Sequence, residues 1–361
     1  MIPLILKPYQ RMWHSEDGIV LVTGGTGFIG RWLVRVLLDQ GTRVRLLCRS
    51  VAKAEALFGP RPEIMEGDIL DAAAVRRACD GARVVYHIAG LYAFGARHRG
   101  DLWATNVGGT ENVLAACWGA AVEAMVHCST AGILISRQGP ASRRDFPARA
   151  PARCHYKQSK WRSERAVLDA AGRGLPVTIA SPTAPIGAGD DRPTPTGQMI
   201  RDLLRGQFPF YSNTGLNLIA VQDVAEGLLA IGRRGVAGER YILGDRNMWL
   251  KDFLSLVASR AGPGVRFPKV AMPWPLIALG GILGEFAGGF VRRLDERLCW
   301  ETAYFARQRQ FFELESSYEP LGWRPSRSLE GIISETVAWF SGTWGDFAAK
   351  GADSPEHSIR G

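Results

Sequence analysis

A strand, a glycine-rich turn and a helix near the start of the chain constrain its fold more than any other stretch. The apolar run at residues 19–22 predicts a buried strand, and the apolar pattern at residues 32–38 predicts a helix packed on a sheet. Between them, Gly24 permits a tight turn, Gly27 lets a pyrophosphate approach the backbone, and Gly30 lets the helix lie close to the strand. Because the first N–H groups of a helix are free, they attract phosphate. The stretch therefore predicts a nucleotide site.

The order of the elements that follow predicts the fold class. Strands alternate with helices through the first half of the chain, which is typical of an α/β protein with a Rossmann doubly wound parallel sheet of six or seven strands. We expect this dinucleotide-binding domain at residues 18–182, after an N-terminal extension at 1–17. Shorter mixed elements at 183–343 predict a smaller substrate-binding lobe, interleaved with the main domain, and 344–361 resembles a tail. A stretch rich in Pro, Gly and Thr at 182–197 predicts an active-site or lid loop.

Composition excludes several classes of function. The net charge of +9 would attract anions such as a phosphorylated cofactor, an acidic lipid or a nucleic acid. The arginines are scattered, however, and no basic helix is interleaved with aromatic residues, so we expect no nucleic-acid partner. The six cysteines lie far apart and the six histidines lack ligand spacing, so we predict neither a disulfide framework nor a metal site. This cysteine usage predicts a cytoplasmic protein.

Two places in the sequence indicate how an adenosine would be held. The second predicted strand ends at Arg49, with Lys53 close behind and no acid present. A base at this position accepts a 2′-phosphate, whereas an acid bonds a free 2′-hydroxyl, so NADP(H) is favoured and NAD(H) is the alternative. Arg49 could instead point to solvent. Asp68, at the end of the third predicted strand, could accept the adenine amino group with Ile69 beside the ring, or it could cap the helix that starts near Asp71.

A tyrosine and a lysine four residues apart suggest the chemistry. Tyr156 and Lys160 share one face of a predicted amphipathic helix that runs from residue 155 to about residue 171. A phenol with a pKa of about 10 is a poor acid–base group at neutral pH. A nearby ammonium lowers such a pKa by about 1–3 units, which suits proton transfer to a carbonyl or from an alcohol. Lys160 could also hold a nicotinamide ribose. The preceding strand ends in Ser129 and Thr130, either of which could orient the substrate oxygen.

With these motifs in order, the chain resembles an extended short-chain dehydrogenase/reductase over about residues 19–340. The family's glycine motif matches residues 23–30, its H-x-A-A-like strand matches 87–90 with Gly replacing the last Ala, and its N-V-x-G-T motif matches 106–110. The resemblance implies that Thr130, Tyr156 and Lys160 are catalytic. The residues predicted to contact the cofactor are Gly24, Thr26, Gly27, Phe28, Ile29, Gly30, Arg49, Lys53, Asp68, Ile69, Ala89, Gly90, Ser129, Tyr156, Lys160 and Pro182.

Four further segments narrow the resemblance. Residues 193–197, 214–218, 223–227 and 240–244 resemble the hopanoid-associated sugar epimerases, which are similar to dihydroflavonol reductases and 3β-hydroxysteroid dehydrogenases. We predict an oxidoreductase that transfers a hydride to or from a carbonyl or alcohol carbon of a small molecule that is lipid-like or polycyclic. Two alternatives stay open: a nucleotide-sugar epimerase that retains NAD, for which Arg201 and Arg205 are candidate anchors, and a non-catalytic redox sensor.

The segment at residues 274–291 is unusually apolar, with Glu285 as its single charge. Leu276, Leu279 and Leu283 fall on one helical face, and glycines recur every four residues from Gly280. It could be a helix buried in the small lobe or in the interface of a homodimer, which we expect. It could instead lie on a membrane surface, with a peripheral location at the inner membrane face, and give access to a lipid substrate. A membrane span would be marginal in length and would bury a costly charge.

Overall fold

The computed structural model describes residues 18–136, 138–151, 154–208, 210–288 and 300–343, with the backbone alone at 96 and 285–288. The predicted extension at 1–17 and tail at 344–361 lie outside the described residues. In chain order the elements are β1 (Ile19–Thr23), α1 (Phe28–Asp39), β2 (Val44–Cys48), α2 (Val51–Phe58), β3 (Glu63–Glu66), α3 (Ala72–Cys79), β4 (Ala82–His87), α4 (Arg99–Trp103), α5 (Gly109–Gly119), β5 (Ala124–Cys128), α6 (His155–Gly172), β6 (Val177–Pro182), β7 (Ala184–Ile186), α7 (Pro195–Leu204), β8 (Phe210–Tyr211), β9 (Gly215–Ala220), α8 (Val221–Arg234), β10 (Arg240–Leu243), β11 (Arg246–Trp249), α9 (Leu250–Ala261), β12 (Val270–Ala271), α10 (Trp274–Gly288), α11 (Trp300–Arg307), α12 (Glu315–Leu321) and α13 (Leu329–Ser341).

The central sheet has seven parallel strands in the order β10-β6-β5-β4-β1-β2-β3. This confirms the predicted doubly wound α/β architecture. The chain leaves β1 for β2 on one side and later returns to β4 on the other side, so β1 and β4 flank the switch point of the topology. A crevice for ligands opens at the carboxyl ends of the strands at such a point.

Two apolar layers sandwich this sheet because successive strand residues face opposite sides. Val20 and Val22 of β1 face the layer that contains residues of α1 and α8. Leu21 of β1 and Val85 of β4 face the opposite layer, which contains residues of α3, α5 and α6. Continuous runs of Val, Ile and Leu therefore form strands buried on both faces, as the sequence pattern predicts.

The predicted boundary at residue 182 does not separate two independent units. We placed residues 241–243 in the smaller lobe, but β10 pairs with β6 in the central sheet, where Leu243 is the register partner of Pro182. Helix α8 likewise packs on α1 of the main domain. The smaller lobe consists of the sheet β11-β9-β7 together with α7, α9 and α13, around a core that includes Leu218, Phe253 and Ile333.

Helix α10 does not bury its leucines within the chain. The expectation that this helix is buried in the small lobe is therefore wrong, whereas burial in a homodimer interface stays a prediction. Leu276, Leu279 and Leu283 are 55%, 52% and 59% exposed, whereas Ala278 is buried. Small residues therefore form the inner face, which lets α10 pack against α11, and Trp274 Nε1 donates to the carbonyl of Ala303 at 3.0 Å. Among the described residues, no helix has both the length and the apolar character needed to span a membrane.

Candidate active site

The glycine-rich turn has the geometry that the sequence predicts. Gly24 has φ +74°, and a Cβ there would lie 2.5 Å from the backbone nitrogen of Ala89. A Cβ on Gly30 would overlap the carbonyl oxygen of Gly24, so neither glycine tolerates a side chain. Helix α1 begins at Phe28, and no side chain among the described residues caps its first turn at Gly27. The turn thus offers a backbone cradle whose N–H groups are available to an anion.

The end of β4 lies beside this cradle and reaches Lys160 of α6. Ala89 N approaches the side chain of Thr23 at 3.4 Å. A Cβ on Gly90 would lie 3.2 Å from Asn106 Oδ1 and 3.8 Å from Lys160 Nζ. A Cβ there would be in tight contact with Asn106 and in ordinary van der Waals contact with Lys160. One sheet edge therefore runs from the glycine turn to Lys160, and these residues could hold a dinucleotide, with the N–H groups of α1 available to its phosphates.

Thr26, Phe28 and Ile29 belong to this turn and to the first residues of α1, where the sequence places them. Pro182, the last residue of β6, lies at the carboxyl edge of the same sheet. These positions agree with the predicted cofactor contacts, which themselves stay a prediction.

At the end of β2, Arg49 is 76% exposed and its guanidinium lies 4.0 Å from the carboxylate of Asp68. Asp68 accepts a hydrogen bond from the backbone of Leu70 at 3.0 Å. It does not cap α3: Asp71 does, accepting from the first-turn N–H groups of that helix. The capping alternative for Asp68 is therefore wrong. Ile69 is buried, with its side chain against Gly109.

The three residues predicted to be catalytic lie together. The side chain of Thr130 faces the hydroxyl of Tyr156, where it favours the phenolate and opposes the rise in the pKa of Tyr156 that burial causes. Thr130 Oγ1 also accepts from the N–H of Gly132 at 3.1 Å, which fixes its orientation. Lys160, one turn further along α6, donates from Nζ to the carbonyl of Cys128 at 2.7 Å. The end of β5 and the start of α6 thus place two hydroxyls and an ammonium at one edge of the sheet.

The expected lowering of the Tyr156 pKa does not occur. Burial raises the pKa of Tyr156, because a phenolate loses its hydration there, and the nearby side chain of Thr130 offsets this rise only in part. Burial also lowers the pKa of Lys160. The Lys160 ammonium is directed at the carbonyl of Cys128, and desolvation dominates over any attraction to the phenolate.

Ser129 does not share the role of Thr130. Its hydroxyl donates to Glu164 of α6, and Glu164 in turn forms a buried ion pair with Arg240 of β10. Burial raises the pKa of Glu164, and the charge of Arg240 opposes this rise. The Ser129 side chain therefore joins α6 to the central sheet, and its predicted contact with the cofactor stays a prediction.

The sequence does not predict the aromatic wall that lies next to Tyr156. The ring of Tyr92 meets that of Tyr156 edge-on, with centroids 4.1 Å apart, and Tyr92 meets Phe94 at 5.2 Å. Phe94 in turn lies 5.0 Å from Phe305 of α11. Lys157, buried beside Tyr156 in the sequence, places its ammonium 4.3 Å from the centroid of Phe305. No periodicity marks these residues, because they come from one loop and two helices that are distant in sequence.

Two further polar residues hold this wall against α6. Asn106 accepts from Leu91 N at 2.7 Å and donates both to Leu91 O and to Ser159 Oγ at 2.9 Å. Glu301 of α11 is 3% exposed and accepts from Gly95 N at 2.9 Å and from His155 N at 2.5 Å. Asn106 belongs to the N-V-x-G-T motif, whereas no motif in the sequence includes Glu301.

Comparison with known proteins agrees with this geometry. A model described as "NAD dependent epimerase/dehydratase family" matches residues 20–244. The chain is 33% identical over 336 residues to "Putative dihydroflavonol 4-reductase" of Synechocystis sp., covering 91% of this chain and 96% of that protein. It is 29% identical over 322 residues to "Sterol demethylase protein B" of Methylococcus capsulatus, covering 89% of this chain and 97% of that protein. The crystal structure of gox2253 matches with a TM-score of 0.77 and 34% identity, covering 90% of this chain and 98% of that chain.

Proposed function

The chain belongs to the NAD dependent epimerase/dehydratase family, and within it we propose an NADP(H)-preferring oxidoreductase that acts on a ketone or secondary alcohol of an apolar, polycyclic substrate. As an extended short-chain dehydrogenase/reductase, it is an NAD(P)-dependent enzyme. The observation that carries the finer proposal is that the side chains of Tyr156 and Thr130 lie together, one helical turn from Lys160.

In this proposal Tyr156 moves the proton. During reduction its hydroxyl gives a proton to the carbonyl oxygen, and during oxidation the phenolate takes a proton from the alcohol. Thr130 orients the substrate oxygen toward Tyr156, since its own position is fixed by the N–H of Gly132. Because burial raises the pKa of Tyr156, the phenol is protonated at neutral pH and is ready to act as an acid.

The glycine turn and Lys160 hold the cofactor in this proposal. The free N–H groups of α1 bind its pyrophosphate, and Lys160 binds the nicotinamide ribose. When bound, the nicotinamide donates or accepts the hydride. Arg49 and Lys53 favour a cofactor with a 2′-phosphate, because both are exposed bases where an NAD-specific site carries an acid.

The substrate class is inferred from the rings that surround Tyr156. Tyr92, Phe94 and Phe305 offer a continuous aromatic surface, which suits a flat apolar molecule better than a hydrated sugar. The names of two relatives, a dihydroflavonol reductase and a sterol demethylase protein, also indicate polycyclic molecules. These names support the substrate class without identifying the substrate.

The test combines turnover with analysis of retained nucleotide. Purified protein is assayed for NADPH oxidation with a panel of tricyclic and tetracyclic ketones, and with UDP-glucose and dTDP-glucose as sugar controls. We expect NADPH oxidation with the polycyclic ketones, and a loss of at least about 100-fold in kcat for Tyr156→Phe. The matched control, Tyr211→Phe, alters a tyrosine of β8 in the small-lobe core and should retain turnover.

Two results would contradict the proposal. If mass spectrometry finds one retained NAD per chain and a sugar nucleotide is interconverted without net NAD(P)H change, the epimerase alternative is correct. If Tyr156→Phe leaves every cofactor-dependent reaction intact, the catalytic assignment fails and the redox-sensor alternative gains support.

The partner we propose for the exposed face of α10 is an anionic bilayer surface. Leu276, Leu279 and Leu283 form an exposed apolar face, and exposed Arg266 and Lys269 precede the helix. Apolar side chains flanked by cations bind lipid with acidic headgroups better than neutral lipid.

The test is sedimentation with vesicles of phosphatidylcholine, with and without phosphatidylglycerol. Binding should require the acidic lipid and be lost in Leu279→Glu but not in Trp118→Glu, which alters an exposed apolar residue of α5. If Leu279→Glu instead dissociates a homodimer without altering lipid binding, the face is occupied by a second copy and the lipid assignment fails.

A further inference from the structure

An acidic residue of the loop after β7 lies between two basic residues beside the end of β2. Asp191 follows β7 in the stretch at residues 187–194 and forms an ion pair with Arg31 of α1. Its carboxylate also lies 3.5 Å from Lys53 Nζ of α2. The same carboxylate oxygen makes both contacts, so a single anionic group joins two helices that flank the end of β2.

The position of these bases determines what Asp191 can do. Arg31 directly follows Gly30 of the phosphate turn, and Lys53 lies in the first turn of α2, immediately after Arg49 and Ser50 at the end of β2. In a sheet of this topology, the end of the second strand is where the adenosine ribose is read. Arg31 is 5% exposed, whereas Lys53 is 43% exposed and can exchange one anion for another.

We propose that Asp191 is a specificity-determining residue that acts as an internal counterion and competes with a 2′-phosphate for Lys53. The inference rests on the proposed NADP(H) preference and refines it. A 2′-phosphate held by Lys53 and Arg49 lies close to the Asp191 carboxylate, and two anions at that separation repel each other. NADH has a hydroxyl in place of the phosphate and experiences no such repulsion. Asp191 therefore reduces the ratio by which the protein prefers NADP(H) to NAD(H).

The loop does not depend on Asp191 alone for its position. Trp32 Nε1 donates to the carbonyl of Ala188 at 3.0 Å, and Glu335 accepts from the N–H of the same residue at 2.9 Å. Asp190 accepts from Thr194 N at 2.8 Å. Replacing Asp191 by its isosteric amide removes the charge while these contacts persist, so the variant separates electrostatics from loop structure.

The experiment is a calorimetric titration of purified protein with NADPH and NADH, repeated with adenosine 2′,5′-bisphosphate and AMP to isolate the adenosine end. Asp191→Asn should increase the affinity for NADPH and for the bisphosphate about 5- to 10-fold and change that for NADH and AMP less than about 2-fold. Salt should diminish the gain, because the charges are partly exposed. Asp39→Asn is the matched control: it removes an exposed, ion-paired carboxylate at the far end of α1.

Several results would overturn the inference. An equal loss of affinity for all four ligands would mean that Asp191 only holds the loop. An unchanged ratio of NADPH to NADH affinity, or an equal gain in Asp39→Asn, would remove the specific role. If Asp191→Asn does not fold, Lys53→Met provides the test. This variant should lower the affinity for NADPH and leave the affinity for NADH unchanged. Equal effects on both affinities would contradict the placement of the 2′-phosphate beside Lys53. Because no substrate is used, these outcomes are independent of the ketone assay that tests the proposed function.

Discussion

Removal of the Glu301 carboxylate should loosen the start of helix α6, which carries Tyr156 and Lys160. Helix α6 begins at His155, and its N-cap residue, Cys154, makes no side-chain capping bond. Glu301 accepts the N–H of His155 at 2.5 Å and thereby supplies the missing cap from α11. Its second oxygen accepts from Gly95 N at 2.9 Å, in the loop that carries the aromatic wall. One buried carboxylate thus joins Tyr156, on α6, to the wall against which substrate would lie.

The magnitude follows from these two bonds. Glu301→Ala leaves two buried N–H donors without an acceptor, at about 1–3 kcal/mol each, and opens space beside α6. Removing a buried charge recovers part of its desolvation cost. We therefore expect the free energy of unfolding to fall by about 2–4 kcal/mol. The free energy of unfolding of Glu301→Gln should fall by about half as much, because its amide oxygen can still accept one of the two hydrogen bonds.

Two measurements check this prediction. Urea denaturation gives the loss of stability, and hydrogen exchange followed by mass spectrometry should show faster exchange in the peptides that contain Gly95 and His155. Glu319→Ala, an exposed glutamate on α12, is the control and should alter neither. If the free energy of unfolding of Glu301→Ala differs from that of the parent by less than about 0.5 kcal/mol, and hydrogen exchange is unchanged at both sites, Glu301 is not the cap of α6.

Three further predictions follow from the site. Because burial raises the pKa of Tyr156, carbonyl reduction should stay constant from about pH 6 to 9 while alcohol oxidation rises with pH; a fall in reduction near neutral pH would contradict Tyr156 as the acid. Burial lowers the pKa of Lys157 from 10.5 to about 8, so the unfolded chain binds more protons between these values and stability rises with pH. Lys157→Met should therefore be more stable than the parent below pH 8, with an advantage in urea denaturation that shrinks toward pH 10.5; a constant difference would refute this. Gly30→Ala should abolish NADPH binding in calorimetry, whereas Gly100→Ala, whose Cβ would meet nothing within 4 Å, should not.

The local elements were accessible from the sequence because short-range rules determine them. A side chain on Gly24 or Gly30 would overlap backbone atoms, so the turn requires glycine at both positions. For this reason β1, the turn and α1 could be recognised from this stretch alone. The spacing of Tyr156 and Lys160 places both on one face of α6 by helical geometry alone. The buried strands of the sheet were visible as apolar runs.

Contacts between distant segments could not be predicted because no periodicity encodes them. Asp191 meets Arg31 across 160 positions, and Glu301 meets His155 across 146. The aromatic wall, and the return of β10 to the central sheet, likewise depend on how the lobe folds back over the main domain.

The glycine turn, the order of strands and helices, and the pairing of Tyr156 with Lys160 could all be predicted from the residues alone. The electrostatics of that pair depend on the folded chain: burial raises the pKa of Tyr156, where the pairing predicts a lowering. Spacing specifies which groups are neighbours along a helix, whereas a pKa depends on how much water the rest of the chain removes from around them.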